Sequence, residues 1–173
     1  MLEAPRVPLA RLDGRLRWRV QGERIDVDID ELTLANADLQ GSARGRWHTG
    51  DPATSPARSR WPGVLDLTAA LSRVDATAVH RYLPLTVPAD ARHYVRDAVR
   101  GGTASEVGVR IQGELWDMPL EKPSLPGTFR IAARLDGLDF DYVPRPSPSA
   151  DQAPWPGVRG AQARLLLDRT ALR

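Results

Sequence analysis

The stretch from Arg11 to Asp30, RLDGRLRWRVQGERIDVDID, decides the fold. Leu12, Gly14, Leu16, Trp18 and Val20 take every second position, with Asp13, Arg15, Arg17 and Arg19 between them. Ile25, Val27 and Ile29 then alternate with Asp26, Asp28 and Asp30. Successive side chains of a strand point to opposite faces, so this pattern describes two strands, each apolar on one side and solvated on the other. Gln21-Gly22-Glu23-Arg24 joins them, and glycine at the first central position suits a two-residue II′ hairpin. That turn sets a register. Val20 faces Ile25, Trp18 faces Val27 and Leu16 faces Ile29, while Arg19 opposes Asp26, Arg17 opposes Asp28 and Arg15 opposes Asp30. Such cross-strand pairs contribute roughly 0.2–1 kcal/mol each. A one-residue slip would set arginine against isoleucine, so the register is expected to be firm.

The same grammar runs outward along the chain. Leu32 and Leu34 precede a turn near Asn36-Ala37, and their changed phase relative to Ile29 predicts a bulge near Asp30-Glu31. Leu39, Gly41, Ala43, Gly45 and Trp47 alternate next. Residues 49–62 are loop by composition. Further strands are expected at Leu65–Leu71, Val107–Leu115, Phe129–Leu135, Leu138–Tyr142 and Ala161–Leu167, with a Pro/Ser loop over 144–156. Helical signals are confined to the middle. Asp75 can cap a short helix through Tyr82 that Pro84 limits. Pro88 can start a second helix with Ala91, Tyr94, Val95 and Ala98 on one face and Gly101 as its C′ residue. The short repeats WPGV (61–64, 155–158) and LDG (12–14, 135–137) fit a modular β architecture. Leu165–Arg173 reads as strand, turn and the start of another strand, which gives the expectation that the chain is a section of something longer.

Composition narrows the function. The 173 residues hold 24 Lys+Arg against 22 Asp+Glu, a net charge of +2, so there is little electrostatic drive toward nucleic acid. Of the basic residues only Lys122 is a lysine. The absence of cysteine excludes disulfides, thiolate catalysis and thiolate-held metals. No apolar run is long enough to span a bilayer as a helix.

Catalytic motifs are equally scarce. His48, His80 and His93 fall in no metal-binding spacing. Asp26-x-Asp28-x-Asp30 opens like a calcium loop, but Glu31 stands where that loop needs glycine and Ala37 where it needs the bidentate glutamate. There is no GxSxG and no phosphate-binding glycine loop. Trp18, Trp47, Trp61, Trp116 and Trp155 invite a carbohydrate-platform reading, yet Trp18 and Trp47 lie in phase with the apolar face. What remains is an unusual amount of one-sided β surface carrying many small residues: Gly14, Gly41, Ala43, Gly45, Ala69, Gly113, Ala133, Ala161 and Ala163. They could leave an apolar furrow or accommodate close packing, and the pattern alone favours neither.

Residues 75–115, DATAVHRYLPLTVPADARHYVRDAVRGGTASEVGVRIQGEL, carry a resemblance to a known family. Tyr82-Leu83-Pro84, Val87-Pro88, Gly101-Gly102 and Gly113-Glu114-Leu115 follow the recurring pattern of the YhdP-type branch of the AsmA-like proteins. LANAD at 34–38, LDL at 65–67, FRIAARLDGLDFDY at 129–142 and WPGVRGAQARLLLD at 155–168 extend the likeness over most of the chain. Tyr94 stands where that pattern favours tryptophan.

The resemblance implies a mainly β chain, a curved antiparallel sheet forming a taco-like groove with a two-helix insertion near 75–100. It implies a segment of a large, inner-membrane-anchored, periplasmic protein of the Gram-negative envelope. Such proteins are thought to carry phospholipid acyl chains between the two membranes. Partners would be phospholipid and neighbouring β segments of the same polypeptide, with edge-strand self-association a further option. Candidate groove residues are Leu16, Trp18, Val20, Ile25, Val27, Ile29, Val107, Val109, Ile111, Phe129, Ile131 and Leu165. No cofactor, metal or catalytic group is expected. The competing readings are a structural or interaction module of the envelope and, third, a carbohydrate-binding β domain.

Overall fold

The computed structural model describes residues 7–83, 85, 87–144 and 156–173. Its strands are β1 (Arg11–Gln21), β2 (Arg24–Ala35), β3 (Leu39–His48), β4 (Val64–Asp75), β5 (Val99–Glu114), β6 (Thr128–Phe140), β7 (Val158–Asp168) and β8 (Ala171–Leu172). They form one open antiparallel sheet of eight strands in which chain order is spatial order. A 3-10 helix (Ala76–Tyr82) and α1 (Ala89–Ala98) sit between β4 and β5.

The first hairpin has the register that its turn dictates. Val20 pairs with Ile25, Trp18 with Val27 and Leu16 with Ile29. Gly22 takes φ +58, the positive value that a glycine supplies at no steric cost. Beyond Ile29 the register shifts, with Arg15 opposite Glu31 rather than Asp30, and the β2–β3 ladder shifts between Ile29 and Leu32. The bulge read at Asp30-Glu31 is therefore present. Arg19 lies opposite Asp26 and Arg17 opposite Asp28 as expected, whereas Arg15 faces Glu31 and not Asp30. The closest ion contacts are made otherwise: Arg17 reaches diagonally to Asp30 at 2.6 Å, Arg24 bonds Asp26 of its own strand at 2.8 Å, and Arg46 bonds Asp28, which it faces on β2, at 2.9 Å.

Three other expectations are corrected. Leu138–Phe140 is no separate strand, because β6 runs unbroken from Thr128 to Phe140. Asp136-Gly137 is absorbed as a bulge, with the ladder shifting between Leu135 and Leu138 and Gly137 at φ 64. Gly101 does not close α1; the helix ends at Ala98 and Gly101 already lies inside β5. On α1 Ala98 is buried and Val95 half-buried as expected and Tyr94 packs edge-on against Phe140, but Ala91 is exposed and Arg92 is buried in its place. The Pro/Ser loop at 144–156 lies almost wholly outside the described residues, as does Trp155.

Register places the apolar residues in rows that cross the strands. One row runs through every strand: Gly14, Leu32, Ala43, Ala69, Val109, Ile131, Leu167 and Leu172. A parallel row holds Leu16, Ile29, Gly45, Leu67, Ile111 and Phe129. The buried core is small and sits at one side of these rows, where Leu39, Val74, Ala104 and Val107 pack together with Val79 and Tyr82 of the 3-10 helix. Asp75 starts that helix by accepting from the Thr77 amide at 2.9 Å. Tyr82 locks it down: its hydroxyl donates to Asp38 at 3.1 Å and accepts from Asn36 Nδ2 at 2.8 Å. Asp141 ties the helical insertion to the far strands. Its amide donates to Ala98 O at 2.8 Å, and its carboxylate holds Arg159 at 2.6 Å and Arg100 at 3.3 Å.

Candidate functional site: the apolar face of the sheet

The glycines show how closely neighbouring strands approach on the two faces of the sheet. Gly14, Gly41 and Gly45 are in phase with the apolar residues. A Cβ on Gly41 would run into Ala70 O and lie 2.6 Å from Leu71 Cδ2 and 2.7 Å from Leu71 Cα. One on Gly45 would run into Asp66 O, and one on Gly14 would lie 2.5 Å from Glu31 O. Gly108 points the other way, among the polar residues, and a Cβ there would meet nothing within 4 Å. Neighbouring backbone thus comes close on the apolar side at Gly14, Gly41 and Gly45, where only glycine fits, while Gly108 on the other face meets open space. These three small residues are explained by strand approach.

Among the described residues, most of this face has no second layer. The helical insertion packs mainly on β4 and β5, at the side marked by Val74 and Ala104. Ile25, Val27 and Ile29 of β2, Val109 and Ile111 of β5, Phe129 and Ile131 of β6, and Leu165 of β7 are half-buried. Leu16, Trp18 and Val20 on the edge strand are 50%, 74% and 61% exposed. Val107 alone of the candidate residues is buried, at 7% exposure, in the cluster under the 3-10 helix. All twelve share one face, but the β1–β2 group and the β5–β7 group are bridged by strands the candidate set skipped. Gly45 and Leu67 join Ile29 to Ile111, and Ala43 and Ala69 join Leu32 to Val109. Leu32, Leu34, Leu65, Leu67 and Leu71 therefore belong to the same surface. Carrying the hairpin register through the Asn36 turn would have found the first two.

The two ends of the strands differ. Trp18, Val27, Trp47, Leu65 and Gly113 form a row at the end opposite the helices. Trp47 stacks on Trp61 with centroids 5.5 Å apart, and its indole N–H donates to Pro62 O at 3.0 Å. Two rings stacked on one another cover each other's faces, which is the opposite of a coplanar sugar platform. The loop that carries Trp61 is sewn to the strand ends: Thr49 Oγ1 accepts from the Ile25 amide at 3.1 Å, and Ser55 donates to Glu114 at 3.2 Å.

The outer face is polar and internally neutralised. Arg17, Asp28, Arg46, Asp66, Gln112 and Thr128 follow one another across six strands. Arg110 bonds both Asp66 and Gln112, and its guanidinium holds the Asp66 carboxyl below the usual carboxylate range. The hydrogen bond from Arg24 does the same to Asp26. A cleft on this side, lined among others by Arg24, Asp26, Arg46, His48, Asp66 and Glu114, holds charges of both signs, with Arg24 paired to Asp26, Arg46 to Asp28 and Asp66 to Arg110. Among the described residues no group of three His, Asp or Glu is placed to hold a metal ion, and no helix is long and apolar enough to cross a membrane.

Compared with known families, the whole chain, residues 1–173, matches the family model described as YhdP protein. No curated protein and no solved structure matches it.

Proposed function

Because the chain belongs to the YhdP family of envelope proteins, we propose that this segment holds phospholipid acyl chains on the apolar face of its sheet and passes them along the row direction, across the strands. The observation that carries this reading is the apolar row that register draws from Gly14 to Leu172, most of it uncovered among the described residues. Strands lie about 4.8 Å apart, so a row across eight of them is about 34 Å long. One leaflet of a bilayer is only about 15 Å deep in hydrocarbon, so an extended acyl chain fits with room to slide. Each methylene taken from water contributes about 0.8 kcal/mol, with no preferred stopping point along the row. That suits a conduit, which needs grip without a deep well. The polar outer face keeps the strand array in water. Backbone hydrogen bonds are satisfied between strands, so the apolar face presents side chains alone.

The test is extraction of the purified chain followed by lipid mass spectrometry, together with crosslinking to a phospholipid carrying a photoreactive acyl tail. Crosslinks are expected on β2 to β6 at apolar positions such as Ile29, Leu67 and Ile111, and Ile111→Asp should abolish most of them while the far-ultraviolet circular dichroism is kept. Crosslinks distributed over both faces, or an unchanged yield in Ile111→Asp, would sink the proposal.

A further inference from the structure

We infer that the strand ends on the side of the Gln21–Arg24 turn form a headgroup margin. A diacyl glycerophospholipid lies with its tails on the apolar face and its ester and phosphate groups among Trp18, Trp61, Trp116 and Arg60. This rests on the lipid-holding role proposed above and adds the orientation of the lipid. Trp18 lies three residues before the end of β1, Trp47 one before the end of β3, and Trp116 two beyond the end of β5. Trp61 stands in the loop between β3 and β4 and stacks on Trp47. β1, β3 and β5 are alternate strands, so these positions follow one another at about 10 Å along the margin. Trp18, Trp61 and Trp116 are 74%, 54% and 61% exposed. An indole has an apolar ring and one N–H donor, which is why tryptophan gathers where hydrocarbon meets headgroups. Trp47 spends its N–H on Pro62 O, but those of Trp18, Trp61 and Trp116 make no hydrogen bond among the described residues. Ester carbonyl and phosphate oxygens are the acceptors they lack.

Charge agrees with the indoles. Arg60, next to Trp61, donates from Nη1 to Glu23 O at 2.9 Å, which ties its guanidinium to the β1–β2 turn. That contact is with a carbonyl, and Arg60 forms no salt bridge among the described residues, so its charge is available to a phosphate diester. The other end of the strands offers neither feature. There the apolar face is covered, with Val79 and Tyr82 of the 3-10 helix packed on Leu39, Val74, Ala104 and Val107. Its tyrosines are also committed: Tyr82 donates its hydroxyl to Asp38 and Tyr94 donates to Tyr142 O at 3.2 Å. A lipid on the apolar face therefore finds open donors and an open cation at one end, and a packed helix with spent donors at the other.

Two photoreactive phosphatidylethanolamines test this on the full 173-residue chain. One carries a diazirine on the headgroup nitrogen, the other at the end of an acyl tail, and the labelled residues are located by mass spectrometry. The tail probe should label the apolar face, at positions such as Ile29, Leu67 and Ile111. The head probe should label residues 18–24, 47–63 and 114–118 and leave 75–99 unlabelled. Arg60→Gln should lower the head-probe yield about threefold or more, the loss of one charge-assisted contact. A tail-labelled diacylglycerol, which has the esters but no phosphate, should label Arg60→Gln as well as it labels the parent chain. The double variant Trp18→Ala, Trp116→Ala should lower the head-probe yield and keep the tail labels on the same face. With tail labels on the apolar face, head labels at 75–99, or divided evenly between the two ends, would overturn the margin and leave the lipid-holding role standing. An equal loss of phosphatidylethanolamine and diacylglycerol labelling in Arg60→Gln would overturn the phosphate contact. Absence of tail labels from the apolar face would instead sink the lipid-holding role, and the margin with it.

Discussion

Replacing Gly41 by alanine tests the close approach of β3 and β4 with a single methyl group. The added carbon would occupy the space of Ala70 O and approach Leu71 Cα to 2.7 Å, where real contacts are well beyond 3 Å. The clash is with backbone, so no rotamer change relieves it; β3 and β4 must part. Overpacking of this kind costs about 1–3 kcal/mol. Gly108→Ala is the matched control. It too lies inside a strand, but its methyl would enter open space, and trimming the freedom of the unfolded chain should leave stability unchanged or raise it by up to ~1 kcal/mol. The gap between the variants is thus roughly 1–4 kcal/mol. With a urea dependence of about 2 kcal/mol per molar, that separates the midpoints by about 0.5–2 M. Tryptophan fluorescence during urea titration reads it, since Trp18, Trp47, Trp61 and Trp116 gather toward one end of the strands and report on the unfolding of the sheet. If Gly41→Ala and Gly108→Ala unfold at the same urea concentration, neighbouring backbone does not come close on the apolar face and the account of its glycines fails. If Gly41→Ala is destabilised as expected, the parted strands should also show lower photocrosslinking to an acyl tail.

Two further outcomes follow from the polar contacts. Asp26, Asp66, Asp97 and Asp141 are held below the ordinary carboxylate range, chiefly by hydrogen bonds from Arg24, Arg110, Arg96 and Arg159. A folded-state value below the unfolded one means the unfolded chain takes up more protons, so their contribution is complete above about pH 4–5 and is lost as pH falls below it. Urea midpoints should be flat from pH 7 to 5 and drop toward pH 3, with a shallower drop in Asp141→Asn; a decline that begins near pH 6 would contradict this assignment. Tyr82→Phe removes the hydroxyl that bridges Asn36 and Asp38 beneath the 3-10 helix and should cost about 1–2 kcal/mol. Burial raises the Tyr82 phenol, so in an ultraviolet titration of the three tyrosines the late-ionising one should vanish in this variant.

The hairpin at Gln21–Arg24 was fully legible because one turn and two alternating strands leave only one register that keeps arginine off the apolar face. The Asp75 cap was legible for a similar local reason. Asp136-Gly137 misled because the same dipeptide that turns a chain also fits a bulge. What decides is the partner strand, and β5 is itself irregular opposite that point, its ladder shifting at Gly101 and Thr103. Ion pairing was only partly legible: the register put Arg17 opposite Asp28, but Asp28 is taken by Arg46 on its other side and Arg17 reaches past it to Asp30. The candidate face was half visible. Its members on β1, β2, β5 and β6 announced themselves as bulky alternating residues, whereas Gly41, Ala43, Gly45 and Ala69 read as gaps. Their meaning lies in how near the next backbone comes, which no single strand encodes. Leu120, wholly buried among loop residues after β5, gave no periodic signal at all.

The strand order has a kinetic meaning. Since every strand pairs only with those before and after it in the chain, no part of the sheet must wait for a distant part to be made. Order can spread as a zipper closes, from whichever hairpin forms first, and it can be undone from either rim without disturbing the middle. A polypeptide delivered end first into a crowded compartment could satisfy its backbone hydrogen bonds pair by pair as it emerges, leaving unpaired only the edge of the last strand added.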